Sequence, residues 1–318
     1  MNFAHDDPEF DDLLRIVARD RGIALGLVEK DYWVTHALWA LHDAGFEVWF
    51  KGGTSLSKGF GIIERFSEDL DLKLLPGKLS SLPVVSNWKS EGAKATRERR
   101  EFFEALPAFV KVPGADVVLG EVIDKSWRAA DVRVHYPGKH LADLGSVMKP
   151  FVLLEVGSAR VTPAVERDMT SFVHDYLSAS QQLSAYADNR PKAVRCVHPL
   201  VTLLEKLDAL HRRVPKDSEP GTFVRHFEDA ARIVGVLDKL PVLEDYAGVR
   251  ALVTEMVAER QLAAPPSSSD PAFTPASAAR WDSIRTAHAA IAPMFWGPRV
   301  ALEDACSAIR NWIAETLE

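Results

Sequence analysis

The chain has 318 residues, 47% hydrophobic and 26% charged, and its 38 basic and 45 acidic side chains give a formal net charge of -7. That balance excludes disorder throughout and collagen-like repeats, leaves ample length for a buried core, and argues against a polyanion binder that uses its whole surface. The two cysteines, Cys196 and Cys306, are too few for a disulfide framework or a zinc site.

The first twelve residues are acidic and lack a basic stretch followed by an apolar one. The longest strongly apolar run, Pro150 to Val156, is too short to span a bilayer. A cytoplasmic protein with no membrane partner is expected.

In chain order, Asp12 to Asp43 has helical spacing with an interruption at Gly22, and Asp43-Ala44-Gly45 ends it. Phe46 to Lys51 alternates as a strand, with Phe46, Val48 and Phe50 on one face. Gly52-Gly53 then breaks the chain, and Thr54 is placed to cap a short helix running to about Ile63. Leu70 to Leu74 predicts a second strand. Asn87 to Leu106 predicts a helix with a basic start. Val117 to Leu119, Ala130 to Tyr136 and Phe151 to Val156 predict further short strands. From Pro163 onward the pattern is helical: Val165 to Ala187, Pro199 to Arg213, Gly221 to Leu237, Tyr246 to Arg260, Ala276 to Ala290 and Arg299 to Leu317. The expected fold is α+β, with a small mixed sheet flanked by helices over residues 1–160 and a helical domain over 161–318. A mobile Pro/Ser-rich linker is expected at about 262–276.

The segment from Lys51 to Asp71 is the most informative. Gly52 and Gly53 lack Cβ, so backbone can approach a bulky ligand closely. Thr54 and Ser55 follow at a helix start, where N–H groups and hydroxyls favour an anion such as a phosphate. Asp69 and Asp71 are two apart on a strand and project to one face. Two such carboxylates suit Mg²⁺ (or Mn²⁺), which takes a few carboxylates and completes its shell with substrate phosphates. A phosphate cradle beside metal carboxylates is what nucleotidyl transfer from an NTP requires. The run is not a P-loop, because Gly-x4-Gly-Lys-[Ser/Thr] is absent.

These residues resemble the signature of the polymerase-β-like nucleotidyltransferases, and more narrowly that of the AbiEii/AbiGii toxin family, which includes the MenT toxins. Gly52-Gly53-Thr54-Ser55-Leu56 matches the family's Gly-Gly-[Thr/Ser]-x-Leu. Arg65-Phe66-Ser67-Glu68-Asp69-Leu70-Asp71 matches its Arg-x-Ser-x-Asp-[Leu/Ile]-Asp, and Glu29-Lys30-Asp31-Tyr32 its Glu-Lys-Asp-Tyr element. The resemblance implies nucleotide contacts from the glycine turn with Lys58, Arg65 and Ser67. It also implies a third metal acid on a neighbouring strand, matched by Glu155 inside the apolar Phe151 to Gly157, with Asp131 as the competing candidate. Glu205 to Leu210 matches the family's Glu-Lys-Leu-x-Ala-Leu, which implies that Lys206 contacts the triphosphate. Arg225 and Asp229 match a further element, four apart on one helix face. That match implies active-site support, with Asp229 near the metal site or the lysine.

The function implied is that of a toxin of a toxin–antitoxin or phage-defence system, with an antitoxin partner, acting on tRNA 3′ ends and so blocking translation. The same chemistry on a protein hydroxyl (NMPylation) or on a small molecule such as an aminoglycoside is the alternative, and a binding module with a degenerate site is another. Trp88 to Arg100 holds five basic and two acidic side chains, a local balance of +3, and offers an RNA contact or a solvated helix face.

Overall fold

A computed structural model describes residues 2–67, 69–122, 125–143, 148–157, 160–243, 245–276 and 278–318. Glu68 of the aspartate motif and Ser277, near the start of one predicted helix, lie outside the described residues. The chain forms two compact units. One holds Met1–Phe60 with Ser67–Cys196, and the other holds Gly61–Phe66 with Val197–Glu318. The boundary expected at 160/161 falls within the first of these.

The first unit is built on one mixed seven-stranded sheet, in the order β3-β4-β5-β2-β1-β7-β6. Its strands are β1 (Glu47–Lys51), β2 (Asp69–Leu75), β3 (Asp116–Val122), β4 (Ala129–His135), β5 (Val152–Gly157), β6 (Ala164–Arg167) and β7 (Val194–Val197). β1 runs antiparallel to β2 and parallel to β7, while β2 and β5 are parallel. β4 is antiparallel to both β5 and β3. The α+β expectation with a mixed sheet and a helical C-terminal region therefore holds. Val48, Phe50, Leu70, Leu72, Leu74, Val132, Val134, Leu154 and Val156 are buried on one sheet face. Their strand neighbours stay half-open on the other face, as the side-chain period of two requires.

The helices of this unit are α1 (Phe10–Arg21), α2 (Leu25–Asp43), α3 (a single turn, Gly52–Thr54), α4 (Ala93–Phe109) and α5 (Phe172–Ala179). Gly22 ends α1 in the left-handed conformation, φ 64°. α2 packs against α1, α5, β1 and β5 and is buried on all sides. Its polar residues are therefore bonded. Glu29 accepts from the backbone N–H groups of Lys139 and His140 at 2.9 and 3.0 Å. Lys30 donates to the Lys149 carbonyl at 2.7 Å, and Asp31 accepts from Phe172 N at 2.8 Å. Buried rings from α2 join a network with Asn189. Asn189 donates to His36 Nδ1 (2.8 Å) and to the Tyr32 hydroxyl (3.2 Å), and its amide oxygen meets His174 Nε2 at 2.7 Å.

Two sequence expectations change here. The helix expected over Val165 to Ala187 is the edge strand β6, a loop and then α5, capped by Ser171. Val165, Met169, Val173 and Leu177 recur every four residues and so imitate a helix. The helix expected after Thr54 is the turn α3 followed by a wider-spaced helical segment, Ser55–Gly59, so Thr54 lies inside it and is not its cap.

The second unit holds α6 (Pro199–Arg213), α7 (Arg225–Val234), α8 (Val249–Ala258), α9 (Ala279–Ala290) and α10 (Leu302–Thr316). α7 packs between α6 and α10. The Leu203, Leu207 and Leu210 stripe of α6 is fully buried. The Pro/Ser-rich 262–276 segment, expected to be mobile, has several attachments. Ala263 N–H donates to Asp208 at 2.7 Å, Ser267 and Ser268 donate to the Glu318 side chain, and Phe273 is buried. Gly61–Phe66 joins this unit through Met294–Gly297: Phe66 N–H donates to the Met294 carbonyl at 2.8 Å, and the Trp296 and Gly297 N–H groups donate to the Glu64 carbonyl. A Cβ on Gly297 would lie 2.1 Å from Glu64 Oε2, so only glycine fits there.

Candidate active site

The half-open face of the sheet carries the chemistry. Strand register sets Lys51 beside Asp71, Asp71 beside Glu155, and Glu155 beside Asp131. One row thus crosses four strands with three carboxylates and a lysine. Asp69 stands two residues before Asp71 on the same face. Both candidate third acids, Glu155 and Asp131, therefore belong to the row, with Glu155 next to Asp71. Burial pushes the Glu155 carboxyl up to about 7, helped by Asp71, Asp69 and Asp131 and opposed by Lys51. Asp131 is also raised, first by burial, with Lys149 and Arg133 opposing.

Gly52 is required by this row. Its φ is 74°, and a Cβ there would lie 1.8 Å from Asp71 Oδ2. Thr54 is 3% exposed, and its hydroxyl donates to the carbonyls of Asp69 (2.7 Å) and Ser67 (3.2 Å). Thr54 and Ser67 thus hold the start of the aspartate strand in register, and the threonine hydroxyl spends its proton on these carbonyls. Ser55 is buried, with the Cys196 thiol beside it, and its hydroxyl makes no full hydrogen bond among the described residues. Burial pushes the thiols of Cys196 and Cys306 up to about 11 and about 12, so both are inert.

Lys58 is committed to the fold. Its ammonium meets Asp31 at 2.5 Å, the Thr35 hydroxyl at 2.9 Å and the Thr170 carbonyl at 3.0 Å. Those three partners use its three protons, and we remove it from the nucleotide contacts. Sequence reading overlooked Lys149. Its Nζ lies 3.4 Å from Asp69 Oδ1, and its carbonyl is fixed by buried Lys30. The available signal was its place in Met148-Lys149-Pro150, just ahead of the strand that carries Glu155.

The donor set fits Mg²⁺ in a limited sense. Among the described residues no group of three or more His, Cys, Asp or Glu is drawn tightly enough to cage a metal alone. Mg²⁺ is usually held by one or two carboxylates and completes its shell with substrate phosphates and water, so Asp69 and Asp71 suffice. Burial raises Glu155 first, and the repulsion from its neighbours that adds to it is what a divalent cation would relieve.

In the second unit Asp229 is 1% exposed. It accepts from Arg65 Nε and Nη2, both at 2.7 Å, and from Lys206 Nζ at 2.7 Å. Burial alone would raise its carboxyl, but the guanidinium and the ammonium outweigh that and hold it well below the usual carboxylate range. His226 Nδ1 lies 3.4 Å from Lys206 Nζ, and burial, with Lys206 next, keeps the ring neutral. Two buried cations thus meet on the Asp229 carboxylate. The sequence placed Arg65 among the nucleotide contacts. Its guanidinium positions Asp229 and donates to the Phe66 carbonyl at 3.0 Å. Arg225, four residues before Asp229, adds a further positive field at Lys206.

The basic segment on α4 is less basic than its sequence. Lys94, Arg97 and Arg100 face Glu98, Glu101 and Glu104 at i,i+4, and Arg99 turns inward to the carbonyls of Ser126, Ser90 and Trp88. The Trp88 ring packs edge-on against Phe102 and Phe103. The solvated-face reading prevails for this helix.

The family model for "Nucleotidyl transferase AbiEii toxin, Type IV TA system" matches residues 37–303, a span that holds the carboxylate row, the glycine turn and the Lys206 cluster. The chain belongs to this family. It is therefore a nucleotidyltransferase of the toxin type, from a class of systems that pairs a toxin with an antitoxin. No curated protein and no solved structure matches the chain. Among the described residues no helix is long and apolar enough to cross a membrane.

Proposed function

We propose that the protein transfers a nucleotidyl group from an NTP to the 3′ end of tRNA, with Mg²⁺ or Mn²⁺, and so blocks translation. The observation that carries this reading is the cross-strand row of Lys51, Asp71 and Glu155, with Asp71 resting on Gly52. Mg²⁺ held by Asp69 and Asp71, with Glu155 beside them, would supply charge neutralisation for the donor phosphates and the departing pyrophosphate. The residues do the rest. Gly52 and Gly53 admit the phosphates close to the backbone. Lys51 offsets the negative charge of the row from the β1 side. In the second unit Lys206, held by Asp229 at 2.7 Å, is the donor-phosphate ligand that the family motif implies. Arg65 and Asp229 keep that ammonium in place.

The test is incubation with labelled NTPs, Mg²⁺ and total tRNA. Wild type labels the tRNA, and Asp69→Ala does not. Equal absence of label from both sinks the tRNA reading, and label appearing in lysate protein or in an aminoglycoside moves the acceptor.

A further inference from the structure

A second row crosses the same open face of the first unit, two residues back along β1 and about 7 Å from the carboxylate row. Register places Trp49 between Lys73 of β2 and Arg195 of β7. Both cations lie against the indole, the Lys73 ammonium 5.9 Å and the Arg195 guanidinium 5.0 Å from the ring centre. A tryptophan held between two cations fixes long side chains that would otherwise sample many rotamers. Lys89 lies close enough to Lys73 to repel it. Among the described residues the carboxylate in contact with the row is Glu47, 3.7 Å from Arg195. Positive charge is therefore gathered and oriented beside a row of carboxylates.

We propose that Arg195, Trp49 and Lys73 form a phosphodiester-binding subsite for the polynucleotide acceptor. The inference rests on the nucleotidyltransferase reading above and names where the acceptor strand lies. In-line displacement puts the attacking hydroxyl and the departing pyrophosphate on opposite sides of the transferred phosphorus. Along β1 the order is Trp49, then Lys51 in the carboxylate row, then the glycine turn at Gly52-Gly53. With the donor phosphates at the glycine turn, the attacking strand approaches from the Trp49 side. There Lys73 and Arg195 neutralise the phosphate behind its terminal nucleotide. Their spacing across three strands suits a backbone that passes over the sheet, and no base edge need be read. The subsite therefore contributes affinity and salt dependence without sequence preference.

Lys73→Met and Arg195→Met test this, since both side chains stand on the open sheet face. Anisotropy with labelled tRNA, without NTP, should show several-fold weaker binding for each, with the log–log salt slope reduced by about 1 per cation removed. Lys73→Arg should restore the slope. Calorimetric affinity for Mg–NTP should be unchanged in all three variants. If wild type labels tRNA while both methionine variants keep its tRNA affinity and salt slope, the subsite is overturned and the transferase reading stands. If the variants lose NTP affinity instead, the row belongs to the donor and the proposal falls. If wild type neither binds nor labels any polynucleotide, both readings fall together.

Discussion

Gly52 and the carboxylate of Asp71 compete for one small volume, which makes the glycine the most exacting residue of the site. Alanine there would take φ 74° and drive its Cβ into Asp71 Oδ2. The left-handed backbone alone costs about 1–2 kcal/mol. The displaced carboxylate should cost activity more heavily, since a misplacement of about 1 Å can lower a rate on the order of 100-fold. Gly52→Ala should therefore lose most nucleotide transfer while melting only a few degrees lower. Activity near wild type would mean that Asp71 does not act from the position described. Sequence composition could not have revealed this contact. The Gly-Gly pair was visible, but its partner lies across the sheet.

At the scale of elements, two buried ion pairs have opposite meanings. Asp31 and Lys58 tie α2 to the segment after the glycine turn, and Arg65, Lys206 and Asp229 tie the 61–66 segment to α6 and α7. Asp229→Asn leaves two buried cations facing each other and should cost about 3–5 kcal/mol in denaturant unfolding. Lys206→Met leaves the Arg65–Asp229 pair intact. It should cost much less stability yet abolish transfer. Equal losses of stability in the two variants would show that Lys206, not the Arg65 pair, holds Asp229 in place. Lys58→Met strands Asp31 in the core and should also cost about 3–5 kcal/mol. Calorimetry on the folded fraction should still give wild-type NTP affinity, and a selective loss of that affinity would return Lys58 to the nucleotide site.

Strands β1, β2 and β4 were legible by alternation, β5 by its apolar run and helix α6 by its leucine stripe. β7 was not, since Val194-Arg-Cys-Val197 is four residues long and has one outward side chain in Arg195. That residue is one of the two cations of the proposed subsite, so the missed strand hid a functional candidate. The Glu-Lys-Asp-Tyr element was legible as a motif and opaque as to purpose. Its three charges hold loops at Lys139–His140, Lys149 and Phe172, an arrangement set entirely by contacts distant in sequence.

At the scale of the molecule, the first unit contains titrating groups whose effects oppose one another. Glu155 has a folded pKa near 7, above its usual 4.5, so its contribution to stability is present below about 4.5 and lost as pH rises through 7. His36 has a folded pKa near 4, lowered first by burial and next by His5, and His174 is lowered by burial. Their contributions are present above 6.5 and lost as pH falls toward 4. The histidines should therefore make metal-free protein melt higher as pH rises from about 4.5 to 6.5, and Glu155 should flatten that profile. Glu155→Gln should tilt it upward with pH and gain about 1–2 kcal/mol above pH 7, after allowance for solvent screening. A variant that melts like wild type at pH 8 would show that the row bears its charge without strain.

The excursion of Gly61–Phe66 into the second unit also has a consequence for synthesis. The segment joining the glycine turn to the aspartates docks on Met294–Gly297, which the ribosome makes about 230 residues later. At ~5–20 residues per second that is a wait of roughly 10–50 s. Until then Arg65 lacks its bridge to Phe295, although its partner Asp229 is made about 65 residues earlier. The loop between cradle and carboxylates thus stays undocked until Met294–Gly297 has emerged, so this stretch between the two signature motifs is fixed late in synthesis.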